Sequence, residues 1–125
     1  MNLNLLSIKI IISATTWFWL LLSSTALAET LITKNFKITI SSNCQEGEVT
    51  CNNIYYQGVN LNTGESIQLV GKTLHATCAD GITPCQFIGY EFRNGSYRYI
   101  VTEDGFLLVY QARKLLLEES GTWEP

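Results

Sequence analysis

The chain has 125 residues, of which 46% are hydrophobic and 15% are charged, and its formal net charge is −3 at pH 7. This length allows one domain with a modest core. The mild acidity disfavours nucleic acid and anionic membrane surfaces as partners, because both attract a basic patch. The acidity is compatible with a basic protein partner, although most small acidic domains are acidic for solubility alone.

The N-terminal segment has the features of a secretory signal peptide. An apolar run over residues 10–22 follows a single lysine, and Ala26-Leu27-Ala28 forms a small-x-small cleavage site. Such a run is too short for a membrane anchor, which needs roughly 20 apolar residues. We therefore expect residues 1–28 to be removed. Residues 29–125 are then one exported domain, periplasmic or extracellular, with no stable membrane anchor after cleavage.

All four cysteines lie in this domain, in two copies of one short pattern. Residues 44–51 (cassette 1) and residues 78–85 (cassette 2) both read Cys-x-acid-Gly-x-x-x-Cys. An exported chain with an even number of cysteines is expected to hold them as disulfides. Local pairing, Cys44–Cys51 and Cys78–Cys85, closes two short loops, and each closure stabilises the fold by about 2.5 kcal/mol.

Loop entropy alone does not select the pairing, because a loop of about 35 residues would contribute only about 3.8 kcal/mol. The matched spacing of the two cassettes favours local pairing, as do Gly47 and Gly81, which supply a turn inside each loop. A zinc site is the alternative. The cassettes lack the close cysteine pairs of zinc knuckles, so we predict no metal.

Alternation of apolar and polar residues predicts a series of short strands along the domain. The predicted strands are residues 35–40, 54–61, 66–74, 86–93, 96–102, 106–110 and 114–119. Turn signals separate several of them, at Asn62-Thr63-Gly64-Glu65, Asn94-Gly95 and Asp104-Gly105. Gly58 and Gly71 interrupt two strands and predict bulges or strong bends.

The segment 111–119 is ambiguous, because its residues are good helix formers and Gly121 could cap a helix. The preceding meander favours one more strand over residues 114–119. About seven short strands joined by hairpin turns predict an all-β domain with two local disulfides. Its fold is expected to be a small antiparallel meander that forms a barrel or a sandwich.

The domain offers few groups for catalysis, and we expect that it is not an enzyme and needs no cofactor. His75 is the single histidine, and no Gly-x-Ser-x-Gly elbow accompanies it. We interpret it as a partly exposed strand residue. The acidic residues fall mostly in turns, whereas a glycosidase needs two carboxylates that face each other across a cleft. A hydrolase that acts through turn carboxylates is therefore the least favoured function.

Tyrosine is the residue type that most suggests a binding surface. It offers apolar area with a polar tip and is enriched at protein contacts. The tyrosines are Tyr55, Tyr56, Tyr90, Tyr97, Tyr99 and Tyr110. For any one of them, packing in the core is an equally good interpretation.

Two segments of the C-terminal half resemble the inhibitory loops of a known family. They are Asn94-Gly95-Ser96-Tyr97-Arg98-Tyr99 and Tyr110-Gln111-Ala112-Arg113-Lys114. Over roughly residues 86–119 the chain resembles the bacterial periplasmic or membrane-bound inhibitors of c-type lysozyme. In that family the loops carry a Ser-Gly-x-x-Tyr-like segment and an aromatic-x-Lys-Gly segment. In this chain the serine follows the glycine, and no Lys-Gly pair occurs.

The resemblance implies a small exported antiparallel barrel, braced by disulfide, that inserts loop residues into a lysozyme. Ser96 and Lys114 are then the inserted groups, with Tyr97 and Arg113 beside them. The expected function is that of an exported binding protein that inhibits a hydrolase such as lysozyme, with a basic hydrolase or another protein as partner. The alternative is a non-catalytic structural or envelope-associated module. The sequence leaves the oligomeric state open.

Overall fold

The computed structural model describes residues 28–45 and 47–125, so the predicted signal peptide, apart from Ala28, lies outside the described residues. The described chain is all β and forms one closed antiparallel barrel, in which the strands follow one another in chain order. The strands are β1 Ala28–Thr33, β2 Phe36–Ser42, β3 Ile54–Asn60, β4 Ser66–Thr77, β5 Pro84–Asn94, β6 Tyr97–Thr102, β7 Phe106–Gln111 and β8 Lys114–Glu124. The described residues include no helix that is long and apolar enough to cross a membrane.

All seven predicted strands are present, and the structure adds an eighth at the start of the domain. This strand, β1, begins at the predicted cleavage site. Its Leu31 pairs with Ile38 of β2 on one side and with Trp123 of β8 on the other. An open sheet of seven strands would leave two edges, and β1 pairs with both. The fold is therefore the barrel rather than the sandwich.

The segment 111–119 is extended, as the prediction favoured, despite its helix-forming composition. β8 runs from Lys114 to Glu124, and its first half pairs with β7 while its second half pairs with β1. Two neighbouring strands offer β8 backbone partners along its length, and Leu117 packs against the core. Tertiary pairing of this kind overrides intrinsic helix propensity.

The barrel has two ends with different construction, which we call the mouth and the base. Four short hairpin turns lie at the mouth: residues 34–35, 61–65, 95–96 and 112–113. Cassette 1, cassette 2 and the turn at residues 103–105 lie at the base, together with the C-terminal end of β8. Both disulfides thus lie at the same end of the barrel.

The interior is filled by buried apolar side chains from six of the eight strands, with two each from β2, β3 and β7. Leu31, Ile38, Phe92 and Val101 are almost completely buried, and the Tyr56 and Phe92 rings pack 5.0 Å apart between centroids. Each such side chain stabilises the fold by about 1.5–3 kcal/mol through burial. An eight-stranded barrel is just wide enough for side chains to fill it or for one small ligand.

Bulges or strong bends were predicted at Gly58 and Gly71, and the structure has no bulge at either glycine. Gly58 stays in register with Ile67, and Gly71 stays in register with Phe92. The register shifts lie between Leu74 and Thr77 and between Val109 and Tyr110 instead. The glycines serve close approach: a Cβ on Gly71 would lie 2.0 Å from the Glu91 carbonyl oxygen. These positions require glycine because a neighbouring group lies where a side chain would be, and not because an extra residue is inserted into the strand.

One buried carboxylate links side chains of four neighbouring strands on the outer face of the barrel. Glu91 is 6% exposed although it points away from the core. Its carboxylate pairs with Arg98 Nε of β6 and lies 3.8 Å from Lys72 Nζ of β4. Arg98 in turn lies 5.9 Å from the centre of the Tyr110 ring of β7. The carboxylate is therefore compensated, as a buried charge must be.

Candidate functional site

The two segments that resemble inhibitor loops lie side by side at the mouth. The Ala112 amide donates a hydrogen bond of 3.4 Å to the Ser96 carbonyl oxygen, which joins the two turns. Tyr97 of β6 pairs with Gln111 of β7, and Gln111 pairs with Lys114 of β8. Directly opposite residues of neighbouring strands share one face. We call residues 94–97 and 111–116 the lip.

The lip combines two cations with exposed apolar side chains. Arg113 and Lys114 are exposed. Tyr97, Leu115 and Leu116 are 38%, 42% and 44% exposed, and all three are among the large apolar side chains that the barrel leaves open to solvent. Aromatic residues and arginine are enriched at protein interfaces. The structure thus places Ser96, Tyr97, Arg113 and Lys114, named from two separate segments, in two adjacent turns at one end of the barrel.

The tip of the lip has an unusual backbone. Ala112 has a φ of 54° and is the one non-glycine residue with positive φ in the described part of the chain. A left-handed conformation costs a non-glycine residue roughly 1–2 kcal/mol. Gly95, in the neighbouring turn, has a φ of 63° at no such cost. The two turns therefore hold their shapes by local backbone conformation and by the hydrogen bond between them.

Beside the lip, the mouth opens into a cavity of about 280 Å³. Its buried floor is formed by Tyr56, Leu107 and Val109, and its half-buried wall includes Tyr99 and Leu117. The remaining lining residues are Phe36, Gly58, Asn60, Glu65 and Ile67. Small-ligand sites are concave and mostly apolar, with a few polar groups that converge on them. The cavity has this composition.

Tyr56 supplies a polar group on the floor of the cavity. Its ring extends along the strand over Gly58, and a Cβ at Gly58 would lie 2.7 Å from the Tyr56 phenol oxygen. Tyr99 lies beside it, with 5.7 Å between ring centres. Burial, and to a lesser extent the proximity of Tyr99, raise the pKa of Tyr56 well above its usual range. The phenol is therefore neutral at physiological pH and can donate a hydrogen bond.

The rim of the cavity opposite the lip is an ordered turn. The Asn60 side-chain oxygen accepts hydrogen bonds from the amides of Asn62 (2.9 Å) and Thr63 (3.2 Å). The Leu61 amide donates to the Asn35 carbonyl oxygen, which ties this turn to the β1–β2 turn. Glu65 follows and lines the cavity. Both ion pairs among the described residues involve Glu91, so Glu65 has no basic partner there.

Glu119 is a second carboxylate near the mouth, but its role is structural. It accepts hydrogen bonds from the Asn35 backbone amide (3.2 Å) and the Asn35 side-chain amide (2.7 Å). Burial opposes its ionisation, but the hydrogen bonds from Asn35 and Thr33 outweigh burial and lower its pKa. Its oxygens are thus occupied in bracing the β1–β2 turn.

At the base, the cysteines have the predicted local pairing, Cys44–Cys51 and Cys78–Cys85. Cys44, Glu48 and Cys51 are close enough together to suggest a metal site. Disulfide sulfurs are not thiolates, however, and thiolates are what zinc binds. His75 lies half-buried in β4 with its ring 5.4 Å from that of Phe87, as expected of a strand residue.

The sequence analysis named residues of the lip but did not predict the cavity. The available signal was Tyr56-Gln57-Gly58, in which a glycine occupies the inward position two residues after an inward tyrosine. That pattern predicts space above an aromatic ring only if the strand is part of a closed barrel. Closure brings Glu65 and Tyr99 into the same lining from distant parts of the chain.

The lip and the cavity together form a two-part candidate site at one end of the barrel. The lip carries two cations, and the cavity lining carries two phenols and the Glu65 carboxylate, which forms no ion pair within the described part of the chain. No protein-family model, no curated protein and no solved structure matches this chain.

Proposed function

We propose that this chain is an exported binding protein that inhibits a hydrolase such as lysozyme by presenting its lip to the enzyme. The observation that carries the proposal is the cross-strand row Tyr97–Gln111–Lys114, joined to Ser96 through Ala112. This arrangement brings Ser96, Tyr97 and Lys114 close together, with Arg113 in the same turn, which supports a shared contact surface for the two groups that the resemblance implies are inserted, Ser96 and Lys114. Export, to the periplasm or the exterior, is part of the proposal, and the two disulfides suit such an oxidising compartment.

The chemistry of the lip suits a glycosidase cleft. Such a cleft carries two carboxyl groups that flank the scissile bond. Arg113 and Lys114 are exposed cations at the tip of the β7–β8 hairpin, whose turn is two residues long. Tyr97, which belongs to the same cross-strand row as Lys114, would then bury apolar area beside the charged contacts, where desolvation strengthens them.

Charge at longer range supports the same partner. Without residues 1–28 the chain has seven basic and eleven acidic residues, a net charge of −4. An acidic body attracts a basic hydrolase during encounter and raises the association rate, while the cationic lip makes the final contact. The attraction is screened by salt, so association should slow as ionic strength rises.

The direct test is a lysozyme activity assay with purified protein at micromolar concentration against c-, g- and i-type enzymes. We expect inhibition of at least one type. The variant Arg113→Ala/Lys114→Ala should inhibit about 100-fold less, since loss of buried charge partners costs several kcal/mol. The control Lys34→Ala/Lys37→Ala removes the same charge from the β1–β2 hairpin and should inhibit normally.

No inhibition of any lysozyme type would contradict the proposal, as would equal loss in the two double variants. If the protein inhibits no lysozyme and is instead retained on cell-envelope fractions, the result would favour the structural or envelope-associated module. Thermal unfolding of both variants checks that a loss of inhibition is not a loss of fold. We expect changes within ±0.5 kcal/mol, since both pairs of residues are exposed.

A further inference from the structure

The mouth cavity has the size of a site for a small ligand, which is a different kind of partner from the hydrolase proposed for the lip. At about 280 Å³ it is larger than the roughly 150 Å³ apolar cavity that holds a benzene molecule. It lies near the lower bound of about 300 Å³ for sites that take drug-sized ligands. Its size therefore indicates a compact ligand with one ring, or an aliphatic body of similar bulk.

The lining defines which functional group that ligand carries. Glu65 is the one charged residue among the lining residues, and it has no basic partner among the described residues. Phe36, Tyr56 and Tyr99 supply aromatic rings, whose faces attract cations. A carboxylate next to aromatic rings favours a protonated amine over an anion or a neutral polar group.

Preorganisation supports a binding role as well. Gly58 leaves space for the Tyr56 phenol, and the Asn60 side chain holds the turn that precedes Glu65 through two backbone hydrogen bonds. The lining groups are thus in place without a partner, which reduces the entropy lost on binding. Ile67 lines the cavity and remains 36% exposed, so this side of the cavity is accessible from solvent.

We propose that the mouth cavity is a binding site for a small amine, with an apolar body between the rings and a protonated nitrogen at Glu65. The apolar body contacts Tyr56, Tyr99 and Leu117 inside the barrel. The ammonium group lies at the rim, where it pairs with the Glu65 carboxylate and remains partly solvated. This binding is independent of the inhibitory function proposed for the lip.

The test uses 2-phenylethylamine and its neutral analogue 2-phenylethanol in NMR titrations of the isotopically labelled full chain. We expect the amine to bind with a Kd of about 0.1–1 mM, a range that suits a ligand of this size. The alcohol should bind about tenfold more weakly. The shifted amides should cluster at Gly58, Ile67 and Tyr99.

Three variants sharpen the result. Glu65→Gln should remove the preference for the amine and leave the affinity for the alcohol within about twofold. Ile67→Trp should fill the opening and weaken both probes at least tenfold, because bulk at the opening competes with the ligand. Ile88→Trp is the matched control, since Ile88 is 38% exposed on β5 away from the cavity. It should bind both probes normally.

Three results would overturn the proposal. The first is no binding of the amine by the wild-type protein at 10 mM, roughly tenfold above the weakest expected Kd. The second is an amine preference that survives Glu65→Gln. The third is a set of shifted amides that lies outside the mouth. The same variants in the lysozyme assay show whether the lip functions independently of the cavity.

Discussion

Cassette 1 and cassette 2 share a sequence pattern and a loop length, yet the barrel uses them differently. Cys51 of cassette 1 is 6% exposed and belongs to the core. Its amide donates to Thr73 Oγ1 at 3.0 Å, and its carbonyl oxygen accepts from the Thr73 amide at 2.9 Å. Cassette 2 instead extends the β4–β5 hairpin into solvent, and its Ile82 is 83% exposed.

The contacts within cassette 2 are local. The Cys78 backbone amide donates to the Thr83 carbonyl oxygen at 2.8 Å. The Asp80 carboxylate accepts from the backbone amides of Ile82 and Thr83, each at 2.9 Å. Because the two loops have the same length, the chain-entropy term of their disulfides is the same. Any difference between them measures how strongly each loop is coupled to the barrel.

The largest expected effect comes from removing each disulfide separately. Cys78→Ala/Cys85→Ala should lower the free energy of unfolding by about 2–3 kcal/mol, the loop-closure term alone. Cys44→Ala/Cys51→Ala should lower it by about 3–5 kcal/mol, because loss of buried sulfur is added to that term. Urea denaturation followed by circular dichroism measures both. Equal losses would show that cassette 1 is no more coupled to the barrel than cassette 2.

The link between cassette 1 and β4 gives the next effect. Thr73→Val keeps the side-chain shape but removes the acceptor for the Cys51 amide. We expect a loss of about 1–2 kcal/mol, the cost of a buried donor without a partner. Thr77→Val, on the same strand beside cassette 2, is the control and should change stability by less than about 0.5 kcal/mol. A similar loss in both variants would assign the effect to β4 in general.

A smaller, local effect is expected from acid in cassette 2. Hydrogen bonds from the Thr83 side chain and from the Ile82 and Thr83 amides lower the pKa of Asp80 to about 2. Because the pKa of Asp80 is lowered in the folded protein, the stabilisation from these hydrogen bonds is fully present above the ordinary aspartate pKa of about 3.9. It is lost as the pH falls through the folded-state pKa. NMR shifts of the Ile82 and Thr83 amides should therefore change between about pH 4 and pH 2.

In the same titration the Cys51 amide should stay constant, because its acceptor, Thr73, does not titrate. Asp80→Asn should remove the change at Ile82 and Thr83 over this pH range. A Cys51 shift that follows the Asp80 titration would indicate that the two cassettes are coupled through the base of the barrel. Unchanged Ile82 and Thr83 shifts in the wild type would contradict the assigned hydrogen bonds.

The smallest effect is expected at the tips of the two cassettes. Ile82 is 83% exposed and Val49 is 67% exposed, so Ile82→Ser and Val49→Ser should each change stability by less than about 0.5 kcal/mol. Thermal unfolding is sufficient to measure this. A clear loss in Val49→Ser alone would mean that the tip of cassette 1, and not only its closing cysteine, packs against the barrel.

The candidate site was predictable in part. Short segments predicted the two hairpin turns that carry Ser96, Tyr97, Arg113 and Lys114, because hairpin turns are encoded by neighbouring residues; the binding role of these residues is still a prediction. The cavity was not predicted, since its lining comes from β2, β3, β4, β6, β7 and β8. Alternation shows which side chains point inward, but it does not show whether they fill the interior.

The amino-acid sequence by itself determined the all-β class, seven of the eight strands and the local disulfides, because strand alternation, turn residues and cysteine spacing all act over a few residues. Only the tertiary structure decided that β1 closes the sheet into a barrel, that Cys51 enters the core while cassette 2 stays in solvent, and that the mouth keeps a cavity. Those outcomes depend on contacts between residues that are distant in the chain. Two similar cassettes therefore acquired different roles from their neighbours.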